Sequence, residues 1–204
     1  MSSAINTFHA LMSQGTVSKG IYSYLDASKV PMDFSDLLRW QWVLSVSALD
    51  RYVHDIVRIG MLEIFEGRRN PTAKYKSFRI DLNNFSNITE SHTPAIEFER
   101  EVIRQHSFLA FQYPDKIADA LSYIWDEQNK WDVICSNMAT YISSGNLKTK
   151  LKNIITRRNQ IVHAGDCLYT ISPLHQQPIS ILDTEDVNKF IAELANAIDI
   201  SISL

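Results

Sequence analysis

The stretch Thr156-Arg157-Arg158-Asn159-Gln160-Ile161-Val162-His163-Ala164-Gly165-Asp166 gathers two guanidiniums, two amides and an imidazole at the end of a predicted helix. Asn159 and His163 are four residues apart and share a helix face, where the amide can orient the ring. Arg158 and His163 are five apart, about 140° around an ideal helix. They cannot stack directly, but a long guanidinium stem can bring its head beside the ring. Imidazole suits proton transfer near neutral pH, and guanidinium presents a fork of donors to phosphate oxygens. The carboxyl end of a helix carries about half a negative charge and favours cations there. The chemistry such a set can do is general acid–base proton transfer beside a cation. Spacing alone also fits a second reading, a basic helix end whose histidine bonds a nearby backbone carbonyl.

Two further constellations carry the same ambiguity. Asp50, Arg51, His54, Asp55 and Arg58 form a polar stripe on an otherwise apolar helix. Asp50 and His54 are four apart and either face the motif, with Asp50 orienting Arg158 or His163, or belong to an ion-paired face (Arg51 with Asp55, Asp55 with Arg58). Residues 68–79 interleave five basic residues with Tyr75 and Phe78. They either track an RNA backbone and stack a base or form a solvated loop. Glu97, Glu99 and Glu101 read as a solvated face beside Arg100 and Arg104. Cys135 and Cys167 lack metal-ligand or redox spacing and read as reduced thiols. No HExxH, no paired His/Asp set and no Walker lysine motif occurs, so no metal or cofactor is expected.

The elements that must position these residues are helical. Six Gly and six Pro in 204 residues are too few for a turn-rich sandwich or barrel, and the length favours one domain over residues 1–204. Apolar spacing predicts helices over 3–13, capped by Ser2 or Ser3, and over about 18–28. A long central rod follows over about 35–66, stopped by Gly67. Its apolar surface has two sides, the second made by Trp40, Trp42, Val43, Val46 and Val57. Residues 68–92 read as a basic stretch followed by a polar loop. Pro94 starts a helix that runs to about Phe111, and Pro114 starts another through Trp125 and Trp131 to near Met138. Asn146 caps the motif helix, which buries Leu147, Leu151, Ile154, Ile155 and Val162 and ends at Gly165. Residues 167–182 form a connection, and Asp183 or Thr184 caps a last helix through Ile198. The expected architecture is an all-α, single-domain bundle.

Charge is sorted along the chain. The formal net charge is −3, which taken whole counts against a nucleic-acid binder. Residues 68–79 and 146–163 each hold five basic residues and no acid. The remainder then has ten basic against twenty-three acidic residues, a balance of −13. The amino-terminal residues lack a basic segment followed by an apolar run, and no stretch approaches 18 apolar residues. A cytoplasmic protein without membrane contact is expected.

Arg158-Asn159-Gln160-Ile161-Val162-His163 resembles the R-N-x-x-x-H form of the HEPN superfamily's R-x(4–6)-H motif. The surrounding chain is similar to the RiboL-PSP branch, with RRNQIVHAGD closing a helix, a connection through Pro178-Ile179, and a final helix TEDVNKFIAELANAIDI. Ser45-Val46-Ser47-Ala48-Leu49-Asp50 and Tyr52-Val53-His54-Asp55 resemble that branch's first long helix, so the likeness covers about residues 35–202. It implies a metal-independent endoribonuclease acting as a homodimer, with two motifs facing one cleft across the subunit interface. His163 would handle the proton of the ribose 2′-OH or of the leaving 5′-oxygen, and Arg158 would stabilise charge on the phosphate. Asn159 would orient, Asp50 and His54 would support, and Arg157, Lys150 and Lys152 would assist RNA binding. The resemblance further implies an effector of a toxin–antitoxin or antiphage system with a regulatory partner. Its alternative is a non-catalytic dimerisation, RNA-binding or nucleotide-binding module.

Overall fold

The computed structural model describes residues 3–167 and 175–202. Among these the regular elements are nine α-helices: α1 Ser3–Ala27, α2 Asp36–Phe65, α3 Ala73–Lys76, α4 Leu82–Glu90, α5 Pro94–His106, α6 Pro114–Leu121, α7 Lys130–Ser136, α8 Ser144–Ala164 and α9 Ile181–Ile202. The only β pairing among the described residues is an isolated bridge between Cys167 and Gln176. No described helix is long and apolar enough to cross a membrane. The all-α expectation holds.

Several boundaries differ from the periodicity, each for a local reason. The two amino-terminal segments are one helix, α1, which runs straight through Gly15 and Gly20. Gly15 is buried, and a Cβ there would lie 3.2 Å from the Gln41 side chain, so close packing offsets the roughly 1 kcal/mol that glycine costs a helix. Ser3 lies within α1, and Ser2 falls outside the described residues. The presumed loop 68–92 contains α3 and α4. Thr72 and Asp81 cap them by accepting the backbone N–H of Tyr75 and Asn84, and α4 packs on α5 through Ile88. The helix begun at Pro94 stops at His106, and the one begun at Pro114 stops at Leu121. The polar run Asp126-Glu127-Gln128-Asn129 separates α6 from α7. Ser143 caps α8 in place of Asn146. Ser180 precedes α9 and exchanges hydrogen bonds with Asp183, a reciprocal cap that starts the helix earlier than expected.

The chain clusters into two compact units, residues 1–52 with 131–204, and residues 53–130. In the first, α1 packs on α9. Phe8, Leu38, Val46, Leu49, Leu147, Leu151, Ile155, Ile191, Leu194 and Ile198 are fully buried. Tyr52 lies edge-on to Phe8 and donates to Asp199 Oδ1 at 3.4 Å. Burial, then the Asp199 charge, pushes its phenol far above the ordinary tyrosine range.

The second unit is built on aromatic stacking. Phe98 lies parallel to Phe65 at 4.5 Å, with Tyr75 and Phe78 tilted against it. Gly60 sits against Ile124 so closely that an added Cβ would come within 2.6 Å of Cγ2. His106 is buried among Phe78, Phe111 and Tyr123, its Nε2 without a hydrogen-bond partner. Burial, helped by the charges of His54 and Lys74, lowers its pKa from 6.5 to about 4.

Two consequences are measurable. Gly60→Ala forces Ile124 to move and should cost about 1–3 kcal/mol in urea unfolding. The unfolded chain protonates His106 near pH 6.5, the folded unit near 4. Stability contributed by the neutral ring is therefore complete above 6.5. It falls as pH drops toward 4, by up to about 1.4 kcal/mol per pH unit. His106→Phe fills the same aromatic cage and should flatten the unfolding free energy between pH 7 and pH 5; an unchanged slope would assign the loss to other groups.

Candidate active site

Helix α8 carries the motif, and its side chains sort by direction. Leu147, Leu151, Ile154 and Ile155 form the buried stripe. Arg158 and Val162 extend that stripe by helical spacing, but at this end of the helix it leaves the core. Val162, expected to be buried, is 48% exposed. Arg158 is half-buried; its Nη1 donates to Asn159 Oδ1 at 3.2 Å, and its Nε lies out of solvent without a hydrogen-bond partner. His163 is exposed in the last turn, and its ring makes no hydrogen bond with the described residues. The carbonyl-bonded reading of this histidine therefore does not hold among them. Asn159 meets Arg158, the neighbour it follows in sequence.

The helix ends in two consecutive left-handed residues. Gly165 has φ 59 and ψ 29, and Asp166 has φ 62. Glycine takes this conformation freely, whereas a residue with a Cβ needs support. Asp166 receives it from a polar hub. Its backbone N–H donates to Gln160 O at 3.0 Å, and its carbonyl accepts from Gln177 N at 2.8 Å. Its carboxylate is fully buried and accepts from Arg39 Nε at 3.0 Å and Arg157 Nη2 at 3.1 Å. Arg39, only 5% exposed, also donates to Ser35 Oγ at 2.6 Å and Gln177 O at 2.8 Å. Arg157 also donates to Pro178 O at 2.8 Å and lies over the Trp42 ring at 5.1 Å. Trp42 Nε1 in turn donates to Ile154 O at 3.1 Å. One carboxylate thus ties the start of α2 and the segment after the motif to the end of α8.

The other expected site residues are dispersed. Lys150 pairs with Asp186 at 2.7 Å and lies over Phe190. Lys152 is exposed on α8. Asp50 is half-buried on the part of α2 that belongs to the first unit. His54 belongs to the second unit, where its ring packs 4.4 Å from Phe111 and its Nε2 lies 3.3 Å from Leu109 O. Of the polar stripe, Arg58 pairs with Asp55 and Glu99. In the basic stretch, Arg68, Arg69 and Lys74 pair with Glu66, Glu63 and Asp119, and Tyr75 and Phe78 are spent on Phe98. A cavity of about 750 Å³ opens on the Arg157 face of α8, lined by Trp42, Ile142, Lys150, Asn153, Arg157 and Leu182 among others. By helical angle that face is roughly 100° from Arg158. Among the described residues, no three His, Cys, Asp or Glu side chains are gathered to share a metal ion.

Sequence reasoning missed Arg39 and the role of Asp166. Arg39 stands in an apolar run (Leu37-Leu38-Arg39-Trp40), and a cation in such a run needs a buried partner. That partner lies 127 residues away, beyond the reach of any local pattern.

No curated protein and no solved structure matches the chain. A family model described as RiboL-PSP-HEPN matches residues 18–204 and so runs through both compact units. With this match, and with the R-N-x-x-x-H segment closing a helix as the resemblance implied, the chain belongs to the RiboL-PSP-HEPN family.

Proposed function

We propose that the protein is a metal-independent endoribonuclease that works as a homodimer. The observation that carries this reading is the state of His163. It is an exposed imidazole with no hydrogen-bond partner among the described residues, at the end of the helix that also carries Arg158. A histidine serving only structure would normally be bonded or buried, whereas a proton-transfer group must be reachable.

In the proposed reaction the ribose 2′-oxygen loses its proton and attacks the adjacent phosphorus. The P–O5′ bond breaks, and the departing O5′ takes up a proton. The products are a 2′,3′-cyclic phosphate and a 5′-hydroxyl. One His163 from each subunit supplies the two proton transfers, and Arg158 meets the charge that grows on the phosphoryl oxygens. Donors aimed at developing charge are commonly the largest catalytic contribution. Asn159 holds the Arg158 head, and the exposed Lys152 offers a contact to the RNA backbone. Dimerisation is supported by the apolar surface left on the first unit. Trp40 is 55% exposed and Val162 48% exposed, and Val162 continues the buried stripe of α8 out of the core. The role we propose is that of the toxic effector in a toxin–antitoxin or antiphage system, restrained by a regulatory partner.

A second reading, a non-catalytic RNA-binding or dimerisation module, is favoured by the partial burial of Arg158 and its engagement with Asn159. Cleavage of a labelled RNA separates the two. The parent should cut in the presence of EDTA and leave cyclic-phosphate ends, and His163→Ala and Arg158→Ala should each lose about a hundredfold or more in rate. Variants that cut as fast as the parent would remove the assignment. A parent that binds RNA without cutting it would establish the module.

A further inference from the structure

Asp166 combines three features. It has a Cβ yet occupies the left-handed region at φ 62. Its carboxylate is fully buried, and it is shared by two guanidiniums that come from α2 and α8. It also stands three residues beyond His163. Left-handed backbone is uncommon at a residue with a Cβ, and here the surroundings hold it. Gly165 supplies a left-handed stop to α8. Asp166 contributes to that stop through its N–H bond to Gln160 O, and its side chain does something further. The left-handed turn points its carboxylate back to Arg157, one residue before Arg158. The hub thus grips the chain on both sides of the motif, at Arg157 within α8 and at Asp166 just beyond it.

We propose that Asp166, with Arg39 and Arg157, forms a clamp that positions Arg158 and His163 for phosphoryl transfer. The proposal rests on the nuclease reading above and adds residues that the R-N-x-x-x-H motif does not contain. Arg158 and His163 share only the helix backbone between them, and His163 sits in the last turn, where α-helices fray. A frayed turn would let the ring wander by more than the ångström or so that proton transfer tolerates. The clamp closes that turn from outside. Gln177 completes it: its Nε2 donates to Gln160 Oε1 at 3.0 Å, its backbone N–H to Asp166 O, and its carbonyl accepts from Arg39. In this arrangement Arg157 acts through the carboxylate and not on the RNA backbone.

The test uses the full chain and a labelled single-stranded RNA of mixed sequence, at a temperature where circular dichroism shows each variant folded. Asp166→Asn keeps the side-chain shape and removes the shared charge. Its kcat should fall about a hundredfold while KM stays within about threefold. Arg157→Met and Arg157→Lys should show the same split, and the salt dependence of RNA binding should keep the parent's slope. An Arg157 that instead contacts phosphate would weaken binding and lower that slope by about one when replaced by Met. In spectra of isotope-labelled protein, the His163 ring and Arg158 Nε–H signals should shift or broaden in Asp166→Asn while core amides stay in place. Full kcat in folded Asp166→Asn, or in both Arg157 variants should the first not fold, overturns the clamp. Parent activity that survives His163→Ala overturns the nuclease reading instead, so the two failures are told apart.

Discussion

A single buried carboxylate organises the half of the molecule that carries the motif. Asp166 has no access to water, so its charge must be met inside the protein, and two guanidiniums meet it. Removing one partner from such a group typically costs about 3–5 kcal/mol, because the charge left behind remains buried. The requirement dictates where three pieces of chain go. The start of α2 brings Arg39, the last turns of α8 bring Arg157, and the segment around Gln177 and Pro178 lays its carbonyls against both guanidiniums. Each donor of Arg39 that faces this hub has an acceptor, which is what allows a residue of that size and charge to be 5% exposed.

Two adjacent arginines on α8 consequently differ in kind. Arg157 points to the hub and is held by Asp166, by Pro178 and by the face of Trp42. Arg158, a hundred degrees further around the helix, follows the core stripe to the place where that stripe reaches solvent. Neighbours in sequence are not neighbours in role, because one residue of helix is more than a quarter turn. The same angular argument separates the cavity lined by Trp42 and Asn153 from the face that bears Arg158.

Much of the secondary structure was legible in the sequence, because it depends on short-range rules. Pro94 and Pro114 open α5 and α6 at the first helical position, and Gly67 and Gly165 close α2 and α8 with positive φ. The apolar stripe of α9, Val187, Phe190, Ile191, Leu194 and Ile198 at helical spacing, is buried throughout. The misses were places where packing overrules propensity. Polar α4 is a helix because Asp81 caps it and Ile88 docks it on α5. The two glycines of α1 are absorbed into one continuous helix. The basic stretch 68–79 read as either an RNA contact or a solvated loop. In it Arg68, Arg69 and Lys74 pair with Glu66, Glu63 and Asp119 and the two aromatic rings pack on Phe98, while Lys76 and Arg79 are exposed.

The sequence by itself determined the helical class, the place of the motif at the end of α8 and the family likeness, since periodicity, glycine stops and the R-N-x-x-x-H spacing are all local. Only the tertiary structure decided which charges are spent and which remain available. Arg157, Lys150, Arg58, Arg68, Arg69 and Lys74 are paired with acids, while His163 and Lys152 face solvent. The physical reason is that a charge's partner is chosen by distance in space. Asp166 lies nine residues from Arg157 and 127 from Arg39, and the fold brings both guanidiniums within about 3 Å of the same oxygen.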